Sequence, residues 1–354
     1  MSLAFVLFPL LPNEDVINSD WPAFATGARL IVSDPGRLYD LDVQQQVERD
    51  VTGGRVLVSP GIHGILPFLA PAWVALLAVP FELLGTEIGG RVWIIFGLAC
   101  LGAGLYLATR PRPPAAVLPA FASVPTALLM LNAQLDGIVA LGIGAALALR
   151  SRPYLAGVAL GLTLVKPQLV LPLGVAAIAM RQWKVLAGWA ATGALLLGAT
   201  LLLNPRWVGD WLGQVRTTVA QVSREVDFAH FGTLLPPGAQ SYAIVALVLV
   251  ALAVVLFAAA RIRDGYRAAA AILVIGGVVV APHALPADLV LVAVGLAIWG
   301  EATWIEWVML SVGAVIVALA PPPLPAVVGV LVIGGLLFRV SFSTRPARAA
   351  ASPR

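Results

Sequence analysis

The run Gly90–Thr109, GRVWIIFGLACLGAGLYLAT, decides the fold. Its only charge is Arg91, and the rest is apolar or small. Twenty residues of α-helix rise about 30 Å, the thickness of a bilayer's hydrocarbon core. Residues 185–203 and 241–260 read the same way. The whole chain follows suit. Of its 354 residues 60% are hydrophobic and 11% charged, and the mean hydropathy is +0.94. Soluble domains carry about 25% charged residues, so this chain has too little charge to cover a surface in water. It reads as an all-α polytopic membrane protein.

Working outward from Gly90–Thr109, further spans are expected near 3–11, 115–131, 134–149, 153–165, 168–180, 185–203, 241–260, 268–281, 288–299, 304–319 and 325–338. That gives about 11–13 crossings. Residues 3–11 look like a signal-peptide core. They lack a basic leader and a small-residue cleavage site, so they are read as a short first span. Two long polar stretches interrupt the pattern, 12–63 and 204–240. The connections Arg110–Arg112, Arg150–Arg152, Arg181–Lys184, Arg261–Arg267 and the tail from Arg339 hold thirteen of the 22 basic residues. Basic short loops mark the cytoplasmic side. On that rule 12–89 is a first extracytoplasmic loop, 204–240 a second, and 339–354 a cytoplasmic tail in a plasma-membrane protein. Residues 65–84 are apolar enough to cross. However, a crossing there would flip every later basic loop, and the segment holds Pro67, Pro71, Pro80 and Glu82. It is expected to be a helix that lies in the outer interface, or one that dips in and returns.

Composition also bounds function. The net charge of +4 sits on membrane flanks and gives no case for a nucleic-acid partner. The single cysteine, Cys100, and the scattered histidines His63, His230 and His283 offer no metal spacing. No nucleotide or phosphate loop is present. The spans hold almost no ionisable groups, which argues against an ion-coupled transporter. Polar groups collect instead in the expected outer connections.

Four patches carry candidate chemistry. In Asn18-Ser19-Asp20-Trp21-Pro22, Asp20 is placed either as a general base toward a hydroxyl or as part of a helix cap with Asn18 or Ser19. The hairpin Asn132-Ala133-Gln134-Leu135-Asp136 is either a sugar-binding turn or a turn that hydrates its own backbone. Lys166, before Pro167, either snorkels to headgroups or holds a lipid phosphate. In Pro282–Asp288, His283 and Asp288 are either a hydrogen-bonded pair or a structural break.

Taken in order, these patches resemble the DUF2029 group, glycosyltransferase family 87, which has the GT-C fold. The resemblance rests on Asp20-Trp21-Pro22-Ala23-Phe24, then Leu38-Tyr39-Asp40, then the Pro-rich helix from Ser59-Pro60 to Pro80. It continues through Asn132-Ala133-Gln134, Ala156-Gly157 to Lys166-Pro167, and Pro282-His283 to Asp288. Ala133 stands where the family usually has glycine, and Asp136 where asparagine is common. The resemblance implies an inverting transfer from a polyprenyl-phosphate sugar to a saccharide or glycolipid acceptor at the outer face. Mannose is the first expectation for the sugar and arabinofuranose the second. It implies Asp20 as the base. Lys166, His283, Arg91 and Arg29 are candidates for the donor phosphate. Gln134, Asp136, Asn132, Tyr39 and Asp288 are candidates for sugar or acceptor. No cofactor or metal is implied, and the partners are the lipid-linked donor, the acceptor and membrane lipids. The rival class is a flippase or transporter of a lipid-linked saccharide. It explains many spans, but not polar groups gathered on one face.

Overall fold

A computed structural model describes residues 16–55, 66–226, 237–262, 265–281, 283–321 and 323–342. Sixteen α-helices and no strands occur among the described residues. They are α1 Trp21–Ser33, α2 Leu41–Thr52, α3 Ala72–Glu82, α4 Thr86–Thr109, α5 Leu118–Phe121, α6 Val124–Leu131, α7 Asp136–Ala148 and α8 Pro153–Leu160. After them come α9 Leu171–Ala179, α10 Trp183–Leu201, α11 Trp207–Val226, α12 Pro237–Ala260, α13 Tyr266–Val280, α14 Leu289–Trp299, α15 Trp304–Leu319 and α16 Leu324–Phe342.

Every span expected from residue 90 onward overlies an apolar helical stretch; 3–11 lies outside the described residues. Among the described residues, α4, α10 and α16 are long and apolar enough to cross a membrane. The segments Pro114–Phe121 and Val124–Leu131 would make a fourth if they form one broken span. The remaining apolar stretches, such as Asp136–Ala148 and Pro153–Val165, are 10–17 residues long. Fewer single helices pass that length test, among the described residues, than the 11–13 crossings expected. The physical reason is punctuation. Proline cannot continue a helix, so a break such as Lys166-Pro167 cuts one apolar run into two short pieces.

One expected helix is shorter than its apolar run. The helix expected over 65–84 covers only Ala72–Glu82, because residues 66–71 are not helical. Its 11 residues rise about 16 Å, half of what a crossing needs. The stretch 204–240 contains α11 and the start of α12. The first polar stretch contains α2. Asp40 caps it by accepting from the Asp42 and Val43 amides at 3.1 and 3.3 Å, and Gly53 ends it at φ +63°.

The chain forms two compact units. The first comprises 1–107, 126–166 and 183–226. Within it, α1 packs on α3 and α8 on α10. Backbones touch where glycines meet. A Cβ on Gly137 would lie 2.0 Å from the Gly97 carbonyl oxygen, and one on Gly144 would lie 2.1 Å from that of Gly104. Helices of a membrane protein associate through such close small-residue approaches, since lipid offers no hydrophobic drive between them. On α2, buried Gln44 and Glu48 hold the incoming strand of chain: Gln44 Oε1 accepts the Phe68 amide and Glu48 Oε1 the Leu66 amide, both at 2.9 Å.

The second unit comprises 108–125, 167–182 and 227–354. Its core is α13 against the wholly buried α14. Arg112 donates to the carbonyls of Ala297 and Ile298 at 2.7 Å and of Trp299 at 3.3 Å. These are the last carbonyls of α14, which the helix itself leaves unpaired. Gly300 follows at φ +78°, where an added Cβ would lie 1.9 Å from the guanidinium. At α15, Thr303 and Glu306 form a capping box, and Arg339 of α16 pairs with Glu306 at 2.9 Å.

Candidate active site

The site is built around the hairpin joining α6 to α7. Asn132 Nδ2 donates back to the Leu128 carbonyl at 2.8 Å, and the Gln134 amide to Leu129 at 3.0 Å. Between them Ala133 turns the chain at φ +51°, a conformation that costs an L-residue about 1–2 kcal/mol. The turn is pinned from outside: Trp93 Nε1 of α4 donates to the Ala133 carbonyl at 2.8 Å. Trp93 is itself wedged by Trp21, Phe24 and Phe81, with ring centroids 5.6, 5.3 and 5.1 Å away.

Asp20 meets this hairpin at two points. Its amide donates to the Asn132 carbonyl at 3.2 Å, and its Oδ2 accepts from Gln134 Nε2. The capping arrangement is present as well, through Ser19. Ser19 Oγ accepts the Trp21 amide at 3.2 Å and donates to the Val16 carbonyl at 2.6 Å. Asp20 sits at the N-cap of α1 without a side-chain cap bond. Its half-buried carboxylate points instead to the hairpin.

Two residues beyond Gln134, Asp136 is fully buried at 0% exposure. Its Oδ2 accepts from Lys166 Nζ at 2.9 Å. The Lys166 side chain is 11% exposed, and it stands at the break between two short 3₁₀ turns, Gly161–Val165 and Pro167–Val170. One five-residue hairpin therefore contacts a carboxylate at one end and an ammonium at the other. A carboxylate takes a proton; an ammonium steadies an anion.

The other expected residues have partners of their own. Arg29 Nε is bound to Glu82 Oε1 at 2.5 Å, which ties α1 to α3. Arg91 is half-buried on α4, one turn or less from Trp93. Tyr39 donates to the Ala70 carbonyl at 2.9 Å and stacks on Phe68 and Trp207. Burial raises its hydroxyl pKa well above the usual value, so it stays a neutral donor. His283 and Asp288 belong to the second unit. There Asp288 Oδ2 accepts the Leu285 amide at 2.7 Å, and His283 is half-buried. Among the described residues no group of three His, Cys, Asp or Glu could hold a metal ion.

Sequence reasoning missed Trp93, and also the tryptophans that hold the chain near the site. Trp73 Nε1 donates to the Leu164 carbonyl at 3.1 Å, two residues before Lys166. Trp211 Nε1 donates to Leu69 at 2.7 Å. A lone tryptophan in an apolar run carries no pattern of its own. For Trp207 and Trp211 the one-turn spacing on an amphipathic helix was a usable signal.

The helices and the site define a class: an all-α polytopic membrane protein with a polar constellation fit for group transfer. The model of glycosyltransferase family 87 matches residues 68–287. The chain belongs to that family, and it is a membrane glycosyltransferase of GT-C type. No curated protein and no solved structure matches it. Asp20 precedes the matched stretch. Its tie to that stretch is the pair of bonds to Asn132 and Gln134.

Proposed function

We propose that the protein transfers a sugar from a polyprenyl-phosphate donor to a saccharide or glycolipid hydroxyl at the outer face of a plasma membrane, with inversion. Mannose is the first choice of sugar and arabinofuranose the second. The observation that carries this reading is the contact between Asp20 and the hairpin that also bears the Asp136–Lys166 pair.

In this scheme Asp20 accepts the proton of the acceptor hydroxyl as its oxygen bonds to the anomeric carbon. The bond from that carbon to the phosphate oxygen breaks, and the electron pair leaves with the lipid phosphate. Lys166 steadies the charge that develops there. Arg29 and Arg91 serve the same phosphate from α1 and α4. Asn132 and Tyr39 are assigned to the sugar side. Most short basic loops fall on the opposite side of the chain's alternation, which supports an outward-facing site.

The test offers the purified chain polyprenyl-phosphate mannose and polyprenyl-phosphate arabinofuranose with a synthetic alkyl glycoside. A new glycosidic bond that disappears in Asp20→Asn, a loss of at least about 100-fold for a missing base, supports the scheme. Transfer that persists in Asp20→Asn removes Asp20 from it. Movement of the lipid-linked sugar across the membrane with no new bond makes the protein a flippase instead.

A further inference from the structure

Gln134 was read from sequence as a sugar contact, yet its geometry serves something else. It is 5% exposed, and its Nε2 is given to Asp20 Oδ2. Each of the three turn residues is fixed separately. The Asn132 carbonyl accepts the Asp20 amide, the Ala133 carbonyl accepts the Trp93 indole N–H, and the Gln134 side-chain amide donates to the Asp20 carboxylate. Asp20 is thus held by backbone and side chain at once. Two-point attachment fixes both where the residue sits and how its carboxylate plane is turned.

We propose that Gln134 is the positioning residue of Asp20: its amide orients the carboxylate and favours the ionised form that accepts a proton, while Trp93 keeps the turn that presents that amide. This rests on the reading of Asp20 as the base. An N–H donated to a carboxylate stabilises the charged form, which is the form a general base needs. Orientation matters as much, since a misplacement of about 1 Å at a reacting group costs on the order of 100-fold.

The positioning role and the sugar-contact role differ in what they change. A lost sugar contact raises KM. A lost positioning bond lowers kcat, leaves KM nearly alone and moves the acidic limb of the pH–rate profile upward. One hydrogen bond of about 1 kcal/mol corresponds to a limb shift of about 0.7 pH unit. The experiment compares wild type, Gln134→Leu, Gln134→Glu and Gln134→Asn with the same two lipid donors and the alkyl glycoside. Expected are a kcat loss of at least 10-fold in Gln134→Leu, a limb shifted up by about half to one unit, and a larger shift in Gln134→Glu from like-charge repulsion. Gln134→Asn, one methylene short, falls between wild type and Gln134→Leu.

A second measurement needs no substrate. Infrared pH titration of the full chain, with Asp20→Asn subtracted, reads the Asp20 carboxyl directly. An upward midpoint in Gln134→Leu supports the inference. A midpoint equal to wild type overturns it, as does a KM rise with kcat and limb unchanged. If Asp20→Asn keeps full activity, the underlying reading fails. If Asp20→Asn is inactive but the Gln134 variants titrate as wild type, only the role given to Gln134 fails.

Discussion

Removing Asp136 is expected to break a buried ion pair, and the structure sets the size of the effect. Exposed ion pairs contribute about 0–1 kcal/mol, because water screens them. This pair is of the other kind: the Asp136 side chain is 0% and the Lys166 side chain 11% exposed, at 2.9 Å. Deleting one partner of a buried pair leaves an uncompensated charge and costs about 3–5 kcal/mol. Asp136→Ala should lose that much in a reversible unfolding titration in mixed micelles. Replacing both partners with apolar side chains of similar size, Asp136→Leu with Lys166→Met, should return stability to within about 1 kcal/mol of wild type or above it. The double variant should nonetheless fail to transfer sugar, because the ammonium proposed for the phosphate is gone. A loss below about 1 kcal/mol in Asp136→Ala would mean the pair is screened like a surface pair. Wild-type transfer by the stable double variant would refute the role of Lys166.

Three further outcomes are expected. Burial raises the Glu48 carboxyl from 4.5 to about 7. The folded chain therefore holds a proton that the unfolded chain releases between those values, so stability falls as pH rises through that window and is flat above it, by up to about 3 kcal/mol. Glu48→Gln should erase the difference between melting at pH 5 and pH 8; a wild type that melts alike at both would contradict this. Ala133→Gly relieves the left-handed turn and should be neutral or stabilising by up to about 1 kcal/mol, whereas Ala133→Val should cost at least about 1 kcal/mol; the same unfolding titration reads both. Arg112→Ala strips three carbonyl contacts from the end of α14 and should cost about 2–4 kcal/mol, seen as a lower melting temperature. Arg112→Lys should recover only part of it, since a lysine lacks the forked donor.

The membrane class and the helix positions were written in the sequence. Long apolar runs between basic connections admit one solution, because lipid leaves backbone groups no partner but the helix itself. Runs such as 90–109 and 185–203 therefore fall where composition put them. The candidate chemistry was legible too, but only as separate patches at 18–22, 132–136 and 166. The sequence left open whether Asp20 capped a helix. Tertiary structure showed both at once: Asp20 is the N-cap residue of α1 beside a Ser19 that accepts the Trp21 amide, and its carboxylate meets Gln134, 114 residues along the chain. It decided likewise that Lys166 is engaged by Asp136, that Arg29 ties two helices through Glu82, and that Arg112, read as a topology signal, closes a helix. The dividing line is physical. Hydropathy is a sum over neighbours in the chain, so sequence carries it. A hydrogen bond depends on where two distant backbones come to rest, and only packing fixes that.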